Sequence, residues 1–144
     1  MLSQAEADQL ISLPKQRVND VVWKYTGVGE KLVIPLVSVD GTEEFSLDIN
    51  RQFIVLTKGT YQMRGRRVIA LARLDFGGPA HQNPDGAVIP CPHLHLYRED
   101  YADKWAIPLP KSFTNAEDRK LTLIEFLEFC KVVTPPSIEY GMFV

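Results

Sequence analysis

Lys31 to Asn50, KLVIPLVSVDGTEEFSLDIN, is the stretch from which the fold can be read. Its first half, KLVIPLVSV, is apolar at both parities, as expected of a strand covered on both faces. Pro35 lacks a backbone donor, so its presence there argues for an edge position or a bulge. Asp40-Gly41 is a hairpin signal, because both residues tolerate the left-handed backbone of a tight turn. The return strand alternates, with Phe45, Leu47 and Ile49 directed inward and Ser46, Asp48 and Asn50 outward. An antiparallel pair with one core-facing side therefore sits near the middle of the chain.

Working outward, Ser3 to Leu13 reads as a helix. Ser3 and Glu6 form an S-x-x-E capping box, Leu10, Ile11 and Leu13 supply an apolar face, and Pro14 stops it. A helical or extended segment with Val18, Val21, Val22 and Trp23 follows, broken at Gly27 and Gly29. Beyond the central pair, Phe53 to Thr57 is a third strand, with Lys58-Gly59 as the next turn. Thr60–Arg64 and Val68–Phe76 form another hairpin turned at Arg64-Gly65-Arg66. Parity places Val68, Ala70, Ala72, Leu74 and Phe76 on one face, and Ile69, Leu71, Arg73 and Asp75 on the other. Gly77 to Gly86 is rich in Gly, Pro, Asn and Asp and is expected to be an irregular surface loop. Ala87 to Glu99 resumes as a strand, with Leu94 and Leu96 facing the core and His93, His95, Tyr97 and Glu99 opposite. Asp100 to Ser112 reads as a loop. A last helix, capped by Thr114 with Glu117 or Thr122 with Glu125, carries Leu123, Ile124, Phe126, Leu127, Phe129, Cys130 and Val133 to a stop at Pro135-Pro136. The expected fold is a single α+β domain over residues 1–144, an antiparallel meander of about five or six strands flanked by an N-terminal and a C-terminal helix.

The chain is long enough for its own core, and 45% hydrophobic with 24% charged residues is an ordinary globular balance. No apolar run approaches the ~20 residues that span a bilayer, and MLSQAEADQL has neither a basic start nor an apolar signal core. Cys91 and Cys130 are too few for a disulfide framework and are expected as reduced thiols, so a cytoplasmic protein without membrane contact is expected. A net charge of −2 argues against indiscriminate nucleic-acid binding. The distribution is uneven, however. No acidic residue lies between Asp48 and Asp75, a span holding Arg51, Lys58, Arg64, Arg66, Arg67 and Arg73, which suggests one basic face.

Chemistry concentrates in Arg73 to Glu99, RLDFGGPAHQNPDGAVIPCPHLHLYRE, which holds all three histidines, His81, His93 and His95. Histidine titrates nearest neutrality, so the cluster points to proton transfer or metal ligation. Parity puts His93 and His95 on one strand face, with Asp75 on a strand that can lie alongside. A zinc reading uses His93, His95 and one of His81, Asp75 or Cys91, leaving a position open for water. His93-x-His95 followed by Glu99, with Gly86 upstream, also has a cupin-like look. The spacing from Gly86 is one residue long, however, and no second histidine motif follows. A metal-free reading needs a base for the ribose 2′-hydroxyl, an acid for the leaving 5′-oxygen and cations for the phosphorane. Two of the histidines supply the first two, Arg73 with Lys104 or Arg98 the third, and Asp75 orients an imidazole. Tyr61 and Tyr97 are candidates for stacking on bases, and Arg64, Arg66 and Arg67 for RNA phosphates. The plain alternatives are a structural Arg73–Asp75 ion pair and a solvated basic face.

This segment resembles the TumE-type toxins of bacterial toxin–antitoxin operons, whose pattern is like R-x-D-N-x-P-H-H, a short loop, then P-H-H-x-H. Here Arg73-Leu74-Asp75 is followed by Pro79-Ala80-His81 and, after a longer loop, by Pro92-His93-Leu94-His95; Phe76 stands in place of the Asn. The similarity spans roughly residues 60 to 97. It implies a small RNA-cleaving toxin neutralised by a cognate antitoxin; taken with the metal-free reading above, no cofactor is expected and His81, His93, His95, Arg73 and Asp75 are the expected site. Two alternatives stand beside it. One is a non-enzymatic inhibitor or binding protein, such as a phage-encoded anti-defence protein with Trp105 in its contact loop. The other is a histidine-ligated metal-binding protein.

Overall fold

Ser3 caps the first helix, α1 (Gln4–Ser12), accepting from the Glu6 N–H while the Glu6 carboxylate accepts from the Ser3 N–H, the reciprocal box that the sequence predicts. The computed structural model describes residues 1–25, 27, 30–51 and 58–141. The strand expected over Phe53–Thr57 and the break expected at Gly29 lie outside the described residues. After α1 come β1 (Lys15–Arg17) and β2 (Val22–Lys24), both extended. The central hairpin is β3 (Lys31–Ser38) and β4 (Glu44–Arg51). Next are β5 (Gly59–Gly65), β6 (Ile69–Phe76), β7 (His81–Gln82), β8 (Val88–Ile89), β9 (His93–Leu96) and β10 (Ala106–Pro108). The chain closes with α2 (Arg119–Phe129), β11 (Val132–Thr134) and β12 (Ser137–Glu139).

Eight strands form one sheet in the order β10-β9-β6-β5-β4-β3-β1-β11, antiparallel except where β1 runs parallel to β11. Two small sheets, β12–β2 and β7–β8, complete the described strands. The class is α+β as expected, but the strands outnumber the predicted five or six. The extra ones are two- and three-residue pieces too short to show a period in sequence.

The core lies on one face of the sheet. Ile34, Leu36, Phe45, Leu47, Ile49, Tyr61, Met63, Leu74, Phe76 and Leu94 meet Ala7 and Leu10 of α1 and Leu123, Phe126 and Leu127 of α2 in one buried cluster. The β3–β4 hairpin turns at Asp40-Gly41 as predicted. The Asp40 carboxylate accepts from Ser38 and Thr42, and Gly41 takes φ 78°. Against expectation, β3 is covered on one face only, since Val33 stays 43% exposed. Pro35 is not on an edge strand, but β1 pairs only with Leu36–Ser38, so the donor that Pro35 lacks has no partner strand to miss.

Several other expectations are corrected. The β5–β6 turn falls later than predicted, at Arg66 and Arg67, which take φ 46° and 68°. Gly59 lies within β5 rather than in a turn, where a Cβ would sit 2.5 Å from Asn50 O and 2.8 Å from the Phe76 ring. A bulge between Met63 and Arg64 leaves Leu71 unpaired and breaks the parity of β6: Leu71 and Ala72 are both buried and Val68 is exposed. The strand expected over Ala87–Glu99 is split into β8 and β9 by Pro90 and Pro92, the Cys91–Pro92 peptide being cis. Gly77–Gly86 and Asp100–Ser112 each contribute a short strand, β7 and β10. The cap of α2 is Asp118, whose carboxylate accepts from Leu121 N; Glu125 instead accepts from Thr114 and Asn115, tying the preceding loop down. That helix ends at Cys130, before the two prolines, because Lys131 turns to φ 63°; Val133 then lies exposed in β11 rather than on a helical stripe.

Candidate functional site

The outer face of the sheet carries the polar residues, and cross-strand pairing aligns them in two rows. One runs Asp48–Gln62–Arg73–His95–Ala106, the other Asn50–Thr60–Asp75–His93–Pro108. Leu74 pairs with Leu94 on the inner face between them, so the core fixes the register that sets Asp75 opposite His93 and Arg73 opposite His95. The parity read in sequence puts Arg73, Asp75, His93 and His95 on one kind of face; the register between them is set by the pairing of β6 with β9.

A hairpin then covers the histidine end of both rows. The β7–β8 turn at Asn83–Gly86 closes with Gly86 N donating to Asn83 O and Asn83 N to Ala87 O, Gly86 taking φ 91°. The Asn83 side chain is buried and completes the edge of β10, donating to Ala106 O and accepting from Ala106 N. This seating brings His81 over the sheet. The His81 ring centroid lies 4.5 Å from that of His95 and 5.9 Å from that of His93, while His93 and His95 are 4.9 Å apart. The three histidines thus form one cluster. His93 and His95 are each 1% exposed, and His81 is half-buried at the rim.

Backbone carbonyls orient the rings. His95 Nδ1 donates to Asp103 O at 2.8 Å and His81 Nε2 to Lys104 O at 2.7 Å; a carbonyl only accepts, so these nitrogens carry the protons. His93 Nδ1 faces Pro90 O at 3.3 Å. The opposite nitrogens of His93 and His95 converge on one atom: both Nε2 face Asp75 Oδ2, at 3.3 and 3.2 Å. For His95 the contact is misaligned for a hydrogen bond, and this buried Nε2 has no hydrogen-bond partner. Arg73 holds the other side, with Nε 2.9 Å from Asp75 Oδ1 and Nη1 2.7 Å from Asp103 Oδ2. Burial pushes the Asp75 carboxyl up, but the His95 ring and the Arg73 guanidinium outweigh it and hold the carboxyl below its ordinary range. Cys91 lies behind, its Sγ accepting from Gly78 N and donating to Asp75 O. Asp75, His93 and His95 each offer a ligand atom within 4.8 Å of the others, a geometry able to hold a metal ion.

The five residues His81, His93, His95, Arg73 and Asp75 therefore meet, whereas the expected RNA-binding residues do not join them. Tyr61 is fully buried on the opposite face, its hydroxyl on Tyr25 and on Arg119 O, because odd positions of β5 face the core. Tyr97 is buried too, its hydroxyl donating to Leu2 O at 2.7 Å. It donates its N–H to Leu71 O, so it sits opposite the bulge, where alternation along β9 no longer holds. Neither can stack on a base. The basic face is largely neutralised: Arg64 is bidentate on Asp48, itself buried rather than outward and open, and Arg66 pairs with Glu6 and Glu43. Arg67 is exposed. Asp103 was missed by the sequence reading, since an aspartate inside an irregular loop carries no periodic signal. The same is true of the carbonyls of Pro90, Asp103 and Lys104.

Among the described residues no helix is long and apolar enough to cross a membrane. No curated protein and no solved structure matches the chain. The model of a family of unknown function, DUF6978, matches residues 2–132, and the chain belongs to that family.

Proposed function

We propose that the chain is a toxin-like ribonuclease whose reacting centre is the Asp75–His81–His93–His95 cluster, with Arg73 as its cation. One observation carries the reading. The residues through which the sequence resembles TumE-type toxins meet in one cluster, with His93, His95 and Arg73 around the Asp75 carboxylate and the His81 ring packed on His95, although the longer loop separates His81 from His93. In RNA cleavage of this kind the 2′-oxygen attacks the adjacent phosphorus while its proton passes to a base. The P–O5′ bond then breaks and the departing 5′-oxygen takes a proton from an acid. His81, at the rim, is the imidazole that a polymeric substrate can touch. His93 and His95, at 1% exposure, act through Asp75 rather than on the substrate. With Tyr61 and Tyr97 in the core, the base-facing role falls to Tyr101 and Trp105, packed edge to face at 5.6 Å beside Lys104, with Arg98 stacked on Trp105 at 4.1 Å. The partner implied is a cognate antitoxin.

The test is incubation of purified chain with total RNA. Cleavage is expected in the wild type and is expected to fall ~10²-fold or more in His81→Ala, with thermal stability kept. Intact RNA with the wild type, or full activity in His81→Ala, refutes the reading. A non-enzymatic binding role is favoured by one observation: Arg64, Arg66 and Arg73 are already ion-paired within the chain, leaving little of the basic run for phosphates.

A further inference from the structure

We infer that Asp75, His93 and His95 form a binding site for a divalent first-row metal ion of the zinc type. The inference rests on the reading of this cluster as the reacting centre, and changes its chemistry from free imidazoles to ligated ones. The argument begins with the protons. His95 gives its Nδ1 proton to Asp103 O, so a neutral ring presents a bare lone pair at Nε2. That lone pair faces a carboxylate oxygen 3.2 Å away and has no hydrogen-bond donor. His93 Nε2 lies 3.3 Å from the same oxygen and is hydrogen-bonded to it, its Nδ1 on Pro90 O, so an ion there would replace that hydrogen bond.

Asp75 Oδ2 has His93 Nε2 at 3.3 Å and Arg73 Nη2 at 3.4 Å, so of the three atoms the unanswered one is His95 Nε2, a buried nitrogen aimed at the carboxylate with nothing bonded to it. A single divalent ion answers all three atoms at once.

The distances agree with this. Ligands held at about 2.0–2.1 Å from a tetrahedral metal stand about 3.3 Å apart. The Asp75 Oδ2 to Nε2 distances are 3.2 and 3.3 Å, the spacing of neighbouring ligands, and all three atoms lie within 4.8 Å of one another, so binding needs only that the two imidazoles draw together. Two imidazoles and one carboxylate are a borderline donor set suited to zinc, cobalt or iron, and three protein ligands leave a position for water or substrate. The surroundings are those of a ligand set as well. Each histidine's other nitrogen is on a carbonyl and the carboxylate's second oxygen is on Arg73, the outer bonds that orient metal ligands.

The experiment is titration of the full chain, stripped with chelator, with zinc chloride followed by calorimetry, repeated with cobalt chloride followed by visible absorption. The expected result is about one equivalent bound, with a cobalt spectrum lacking a thiolate charge-transfer band. Cys91→Ser should bind as the wild type does, while His95→Gln and Asp75→Asn should each bind at least about 100-fold more weakly. Circular dichroism of each variant establishes that loss is not unfolding, and His93→Gln serves if either fails to fold. No zinc uptake by the wild type, or unchanged affinity in a folded ligand variant, overturns the site. Zinc bound without any RNA cleavage removes the ribonuclease and keeps the site. RNA cleavage by a metal-free chain in chelator keeps the ribonuclease and overturns the claim that the metal changes its chemistry.

Discussion

Lys15 offers the sharpest test of how the two helices are held. Its ammonium is fully buried and donates to Ile11 O and Leu13 O at 2.9 Å and to Cys130 O at 2.7 Å, with the Phe45 ring beside it. Ile11 and Leu13 stand at the end of α1 and Cys130 caps α2, so one cation closes the C-terminal ends of both. Lys15→Met keeps the stem and removes the donors. Three carbonyls then lose their partner at about 1–3 kcal/mol each, offset by relief of a buried charge, for a net loss of roughly 3 kcal/mol. Against a typical total of ~5–15 kcal/mol this is a large share, equivalent to a fall in Tm of roughly 10 °C. Urea unfolding read by Trp fluorescence should show a lower midpoint at an unchanged slope. A second signature separates this from simple loss of packing. Burial pushes the Lys15 ammonium down to about 8 from 10.5, so between those values the unfolded chain binds more protons. Stability of the wild type should therefore rise with pH above about 8, and that rise should be absent in Lys15→Met. An unchanged midpoint in the variant would refute the reasoning.

Other substitutions probe the sheet and the site. Leu94→Asp buries an unpaired charge at a fully enclosed position and is expected to leave the chain unfolded by circular dichroism. Tyr97→Phe removes only the bond to Leu2 O, so it should cost about 1 kcal/mol in urea unfolding and leave RNA cleavage intact; a collapse of cleavage alone would restore Tyr97 to an RNA-binding role. Asp75, whose carboxyl is held below its ordinary range when folded, stabilises the chain above about pH 4 and ceases to as pH falls through the lowered value. In chelator, Asp75→Asn should therefore be less stable than the wild type at neutral pH and should lose less on acidification; parallel acid limbs would count against the charge network.

Much of this was legible because single local signals decided it. Asp40-Gly41 and the alternation after it fix the central hairpin, and Ser3 with Glu6 fixes the first helix. That Asp75 and His93 lie on one kind of face needed only strand parity; their register rests on the pairing of β6 with β9. What was not legible depended on context. The bulge at Leu71 inverts the side on which Tyr97 falls, and no residue there announces it. The burial of His93 and His95 comes from the β7–β8 hairpin, seated by the Asn83 amide on Ala106, a contact between parts of the chain that are remote in sequence. Lys15 reads as a surface residue until three carbonyls are found around it. The arginine run reads as a free basic face because its acids, Glu6, Glu43, Asp48 and Asp103, come from elsewhere in the chain.

The most direct measurement is crystallography of zinc-loaded protein with anomalous data on either side of the zinc absorption edge. The expected result is one anomalous peak at about 2.0–2.2 Å from Asp75 Oδ2, His93 Nε2 and His95 Nε2, with His81 beside it and Arg73 still on Asp75. A peak bound elsewhere, or a fully loaded crystal in which the two imidazoles face Asp75 with nothing between them, would contradict the site.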